Sequence, residues 1–219
     1  MTKRALSLFL VICAIAVINP ALAAPTGEPI GLAAMWDAAD KALQEKHYKD
    51  AAAWYERASK YSDLMAQPAD RRAQLYRGYG QALLYCDQYD KAIPQLTRSL
   101  ELFDQTDAST QVKEGQKAHG YGLLGDAYAA KKNYYEAAEY TLKQAEAMRT
   151  RYPEEKSNGL LEAKAGGWYF HANMKDKAKQ LLTQAQQLLK DNIASGKSFT
   201  PDLDKKVLEG VEKMLPQCN

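Results

Sequence analysis

The sequence predicts an all-α protein: a solenoid of about four helical hairpins, closed at its C-terminal end by a capping helix. Three observations carry that prediction. A small residue (Ala39, Gly80, Gly125, Gly166) is followed twelve positions later by an alanine (Ala51, Ala92, Ala137, Ala178), and the blocks are offset by 41, 45 and 41 residues. In three blocks a tyrosine (Tyr48, Tyr89, Tyr134) stands three residues before that alanine. Near the end of the chain, Thr200-Pro201-Asp202 places a capping residue and then proline at a first helical position. Self-similarity at such a period marks stacked two-helix units rather than one globular core.

The first 23 residues read as an export signal. Lys3 and Arg4 form a short basic region, Ala5 to Ile18 is almost wholly apolar, Pro20 breaks any helix, and Ala21-Leu22-Ala23 supplies a small-x-small cleavage site. The apolar run falls short of the roughly 20 residues that a membrane helix needs, which favours cleavage after Ala23 over a retained anchor. Cys13 lies inside that run, with further apolar residues after it, so it does not mark a lipid-modified N-terminus. The whole chain has a net charge of +2. Loss of Lys3 and Arg4 leaves the remainder balanced, with no basic run to attract nucleic acid or an anionic membrane. No second apolar stretch is long enough for stable membrane insertion. The expected organisation is a cleaved signal over 1–23, a repeat domain over 24–192, and a loop with a capping helix over 193–219. The expected location is the periplasm of a Gram-negative host, or else the medium.

The first hairpin is carried by Met35, Ala38, Ala39 and Ala42, then Tyr48, Ala51, Ala52, Tyr55 and Ala58. The second runs Tyr76, Tyr79, Gly80, Leu83, turns at Asp87-Gln88, and resumes with Tyr89, Ala92, Ile93 and Leu96. The third has Tyr121, Leu124, Gly125 and Tyr128, a turn at Lys131-Lys132-Asn133, then Tyr134, Ala137, Ala138 and Thr141. The fourth has Glu162, Ala165, Gly166 and Tyr169, then Ala178, Leu181, Leu182 and Ala185. These steps of three and four give each segment one helical face. The small residues mark the crossing of the two helices, where a larger side chain costs roughly 1–3 kcal/mol by overpacking. With Asp90 as N-cap, Pro94 falls in the first turn of its helix, where no intrahelical donor is lost. Leu203, Val207, Leu208 and Val211 give the last helix a face to close the stack.

These blocks resemble tetratricopeptide repeats. That pattern has an aromatic, two residues, Leu-Gly, two residues and Tyr, and later Ala, three residues and an aromatic. The third block matches its first half as Tyr121-x2-Leu124-Gly125-x2-Tyr128, and the first block its second half as Ala51-x3-Tyr55-x2-Ala58. The fourth block, with Glu162 in the aromatic place, departs most. The resemblance covers roughly residues 30–192 and implies a right-handed solenoid. The period exceeds the family's 34 by close to whole helical turns. That places the excess in second-helix ends and in the linkers Tyr61–Ala69, Asp104–Gly115 and Arg149–Asn158.

No catalytic motif survives inspection. Gly196-Lys197-Ser198 resembles the end of a phosphate loop, but Asp191 stands where that loop needs glycine. His47, His119 and His171 lack metal-ligand spacing, no serine sits in a nucleophile elbow, and no cofactor or metal is expected. Cys86 and Cys218 are left as either a disulfide or two unpaired thiols, since export permits a bridge. The resemblance implies that the first helices form a concave wall. On it would stand Trp36 and Asp40, Gln74, Arg77, Gln81 and Tyr85, His119 and Asp126, and Phe170 and His171. Aromatics among polar groups suit an extended peptide or helix of a partner protein. Asp40 and Asp126 would repel a carboxylate, which favours a neutral or basic segment. The expectation is therefore a non-enzymatic binding module of the bacterial cell envelope, with a small ligand or glycan fragment on the aromatic groove as the alternative.

Overall fold

A computed structural model of the chain describes residues 31–153, 159–196 and 200–219. The expected leader, its cleavage site and Cys13 lie outside the described residues, as do Lys197 and Ser198. Four helical hairpins follow one another: α1 (Leu32–Gln44) with α2 (Tyr48–Leu64), α3 (Ala69–Tyr85) with α4 (Tyr89–Asp104), α5 (Thr110–Ala130) with α6 (Tyr134–Arg151), and α7 (Leu160–His171) with α8 (Lys175–Ser195). Then α9 (Pro201–Met214) packs on α8 and α7 and ends in a 3-10 turn, Leu215–Cys218. No strand occurs among the described residues. Each helix packs on the next, as in a stack of hairpins.

The twelve-residue spacing is the crossing point of each hairpin. Ala39, Ala51, Ala92, Ala137 and Ala178 are all fully buried. A Cβ on Gly80 would lie 2.6 Å from Leu96 Cγ, and one on Gly166 2.8 Å from Leu182 Cγ. At Gly125 the neighbour is smaller, and a Cβ would lie 3.2 Å from Thr141 Oγ1. The missing side chain is therefore space that the second helix occupies.

The four turns share one geometry. Lys46, Asp87, Lys132 and Asn173 are left-handed, with φ of 62°, 58°, 62° and 60°. The amides after them reach back across the turn, as in His47 N–H to Ala42 O at 2.8 Å and Asn133 N–H to Tyr128 O at 2.9 Å. These are Schellman caps built without glycine. Ala66 (φ 47°) makes the same cap between α2 and α3.

Several expectations change. α4 begins at Tyr89 with Gln88 as its N-cap, so Asp90 is already helical and Pro94 lies inside the helix. Pro94 is partly exposed, so water reaches the helix where its missing N–H leaves a carbonyl open. The longer second step is taken up by α5, which has 21 residues against 17 in α3 and starts at Thr110 inside the expected linker. α8 continues through Ser195, so the expected loop begins as helix. Thr200 caps α9 with Pro201 first, as the sequence predicts. Leu203 points outward at 47 % exposure, and Asp204 takes the buried place. Asp204 is satisfied by Asn192 Nδ2 at 2.7 Å and by Thr200 Oγ1 at 3.3 Å. Glu162 likewise fills the aromatic place as a buried carboxylate, 3.5 Å from Arg149 Nη1.

Cys86 and Cys218 are both free thiols. Cys86 caps α3, whereas Cys218 is buried in the cluster formed by α6 to α9. No bridge joins them.

The backbone at two positions makes opposite demands on residue size. A left-handed alanine carries about 1–2 kcal/mol of steric cost, against glycine's extra chain entropy of about 0.5–1 kcal/mol. Ala66→Gly should therefore stabilise the protein by about 0.5–1 kcal/mol, read from the urea midpoint. Gly80→Ala should instead destabilise it by about 1–2 kcal/mol, because overpacking exceeds the gain in helix propensity. The control is Gly210→Ala in α9, where a Cβ meets nothing within 4 Å. That change should raise stability by up to about 1 kcal/mol.

Candidate functional site

The first helices stand side by side: α1 touches α3, α3 touches α5, and Lys164 of α7 pairs with Asp126 of α5 at 2.7 Å. The expected site residues divide into three groups along this wall.

At the N-terminal end, Trp36 and Gln74 share an open cleft between α1 and α3. In the middle, Arg77 donates from Nη1 to the main-chain oxygen of Gln116 at 3.2 Å and to its Oε1 at 3.1 Å. Its guanidinium lies 5.6 Å from the centre of the Phe103 ring. Burial pushes the Arg77 pKa down from its ordinary value. No carboxylate pairs with Arg77 among the described residues. His119 lies close enough to feel that charge: dehydration first and Arg77 second lower its pKa. His119 nevertheless keeps an exposed surface.

The acids on the wall are engaged. The Tyr55 hydroxyl donates to Asp40 Oδ1, and burial together with that bond drives the tyrosine's pKa far above its usual value. Asp126 is held by Lys164. Asp126 is thus neutralised by Lys164, whereas Asp40 keeps its charge and gives one oxygen to the Tyr55 hydroxyl.

The remaining residues pack at the hairpin edge. Tyr85 lies 4.9 Å from the Tyr48 ring, and Gln81 donates weakly to Tyr85 Oη at 3.4 Å. Phe170 packs into the C-terminal cluster. His171 sits 5.3 Å from Tyr134 and 5.8 Å from Phe170. Tyr85 and His171 occupy the same repeat position, each against the tyrosine that opens the preceding second helix. They are removed from the Trp36–Arg77 region. Three residues that shape the wall were not among those expected on it: Tyr55, expected only as a packing residue of the first hairpin, Gln116 and Lys164. Lys164 had a signal, since it stands three residues before the repeat counterpart of Asp126. Among the described residues, no three His, Cys, Asp or Glu side chains converge on a metal position. No described helix is long and apolar enough to cross a membrane.

This is the architecture of a tetratricopeptide-like repeat solenoid. The chain is similar to the apo form of RapI, with a TM-score of 0.65 and 14% identity. That match covers 85% of this chain and 64% of RapI, so the chain spans under two thirds of that protein. It is also similar to the nearly identical TPR-like repeats of a Podosopora anserina putative kinesin light chain. There the TM-score is 0.57 at 15% identity, covering 83% of this chain and 94% of that one. A variant form of those repeats gives 0.57 at 16% identity, with 85% and 95% covered. No family profile and no curated protein sequence matches the chain.

The His119 imidazole should titrate below its ordinary value of about 6.5, measured by its NMR ring resonances. Arg77→Gln should move that midpoint upward. The folded pKa is the lower one, so the unfolded chain takes up this proton first as pH falls. His119's contribution to stability is complete above the unfolded value and is lost as pH falls through the folded one.

Proposed function

We propose that the protein is a scaffold that binds an extended segment of a partner protein along the wall of first helices, with a carboxylate of that segment on Arg77. The observation that carries this reading is the Arg77 guanidinium itself. It is half-buried, depressed by dehydration, and has no acidic partner among the described residues. A desolvated cation without a counter-charge is unfavourable, and an incoming carboxylate relieves it with charge-assisted hydrogen bonds. The similarity to helical-repeat structures supports a scaffold rather than an enzyme. We set this carboxylate against the expected neutral or basic segment because Asp126 is neutralised by Lys164 and one oxygen of Asp40 is taken up by the Tyr55 hydroxyl. The residues before Ala24 have the form of an export signal, so we place the protein in the bacterial envelope, in the periplasm or released from it.

The test begins with a photo-crosslinking residue at Gln81, one turn beyond Arg77 on α3, used in cells to capture the partner segment, which is then made as a peptide. Arg77→Gln should weaken binding of that peptide by tenfold or more, the effect of one hydrogen bond to a charged group. The helical signal should be unchanged. Amidating the peptide's carboxylates one at a time should reproduce the loss at one position, and the bound peptide should raise the His119 midpoint. Equal affinity of the wild type and Arg77→Gln would refute the assignment.

A further inference from the structure

The N-terminal end of the wall differs from the rest. An open cleft of about 490 Å³ lies between α1 and α3, with Trp36 and Asp37 on one side and Gln67, Asp70, Arg71 and Gln74 on the other. Farther along, the polar side chains are held by neighbours: Asp40 by Tyr55, Arg77 by Gln116, Asp126 by Lys164. In the cleft the five polar side chains make no side-chain hydrogen bond or ion pair among the described residues. Two carboxylates, one guanidinium and two carboxamides therefore surround a single indole, with no partner among those residues.

That set selects a class of ligand. Two carboxylates against one guanidinium give no strong field of either sign, so a small ion has little to hold it. A wholly apolar ligand would desolvate the half-buried carboxamides of Gln67 and Gln74 without pairing them, and would gain nothing from Asp37, Asp70 and Arg71, which face water at the rim. A pyranose meets both demands. Its C–H face covers an indole, and its ring hydroxyls both donate and accept. The planar ends of Asp, Gln and Arg match such hydroxyls with acceptors, mixed groups and donors. The space suits one or two sugar rings. We propose that the Trp36 cleft is a subsite for a neutral sugar ring, with Trp36 as its platform and Asp70, Arg71 and Gln74 as its hydroxyl partners. This proposal stands apart from the partner segment on Arg77, which uses the wall beyond it.

The test follows the indole N–H resonance of Trp36 in the nitrogen-15-labelled protein, assigned through Trp36→Phe. The probes are glucose, N-acetylglucosamine, cellobiose and arginine amide. A sugar should shift the Trp36 resonance saturably at millimolar concentration while leaving Trp54 and Trp168 in place. Asp70→Asn and Gln74→Ala, both at accessible positions, should each weaken that binding about tenfold with the helical signal unchanged. No shift with any sugar overturns the proposal, as does a shift with arginine amide alone, which would make the cleft a cation pocket. Unaltered sugar affinity in both variants also overturns it. None of these outcomes depends on Arg77, so failure here and failure of the scaffold reading are separable.

Discussion

The close approach of two helices within each hairpin is the constraint on which the rest of the structure depends. Where the helices cross, the first has no side chain larger than a methyl group. At the three glycine crossings the second helix places Leu96, Thr141 or Leu182 in the space so created. Glycine in a helix costs about 1 kcal/mol in propensity, and that cost is tolerable only because the packed second helix recovers more. The crossing fixes the register of each hairpin. It leaves the same distance to the left-handed turn residue in every block and the same cap across the turn. Congruent hairpins can then stack, and stacking sets the first helices side by side as a wall.

The wall's chemistry is partly a consequence of that packing. Tyr55 of α2 is buried and presses on α3, where a Cβ on Gly78 would lie 2.5 Å from its ring. In that position its hydroxyl meets Asp40, so a residue that looks like a free wall carboxylate is a buried tyrosine's acceptor. The contrast between Lys117 and Arg77 shows which effect wins. Burial alone would depress Lys117, but Asp104 at 2.9 Å and Glu114 at 3.0 Å outweigh it and raise its pKa. Arg77 experiences dehydration without a carboxylate and is depressed. Lys117 ties α5 to α4, whereas Arg77 has charge left to offer.

What was legible in the sequence was whatever depends on residue size and spacing: the crossings, the hairpin order and the capping helix that Thr200 and Pro201 open. Less legible was whatever depends on a partner distant in sequence. Asp126 reads as a free acid until Lys164 is placed one helix over. Tyr85 and His171 read as wall residues because both are aromatic and near a first-helix end. The packing faces them to the turn tyrosines Tyr48 and Tyr134 instead. Pro94 was misplaced because helix starts slide by one or two residues: Gln88 rather than Asp90 is the N-cap, and α4 begins at Tyr89. In the candidate site, Trp36, Gln74 and Arg77 were nominated from position on the wall alone. Their sorting into a cleft and an uncompensated cation needed coordinates.

Strongly shifted ionisable groups are often taken as a sign of catalysis. Here they argue the other way. Tyr55 on Asp40 joins α2 to α1, Tyr76 on Asp63 joins α3 to α2, and Tyr169 on Glu139 joins α7 to α6. In each pair dehydration comes first and the carboxylate second, and both raise the phenol, to about 12 for Tyr76. A tyrosine so raised is a poorer proton donor in a reaction and a more permanent hydrogen-bond donor in a fold. The shifts thus bind helix to helix along the stack. With those pairs assigned to packing, the charge of Arg77 and the polar rim of the Trp36 cleft stand out among the described residues of the wall as lacking a counter-charge or side-chain partner. Both lie toward its N-terminal end, while α9 closes the other end against α7 and α8. The binding proposed on that stretch therefore rests on a guanidinium without a counter-charge and on polar groups around one indole, neither of which the helix packing employs.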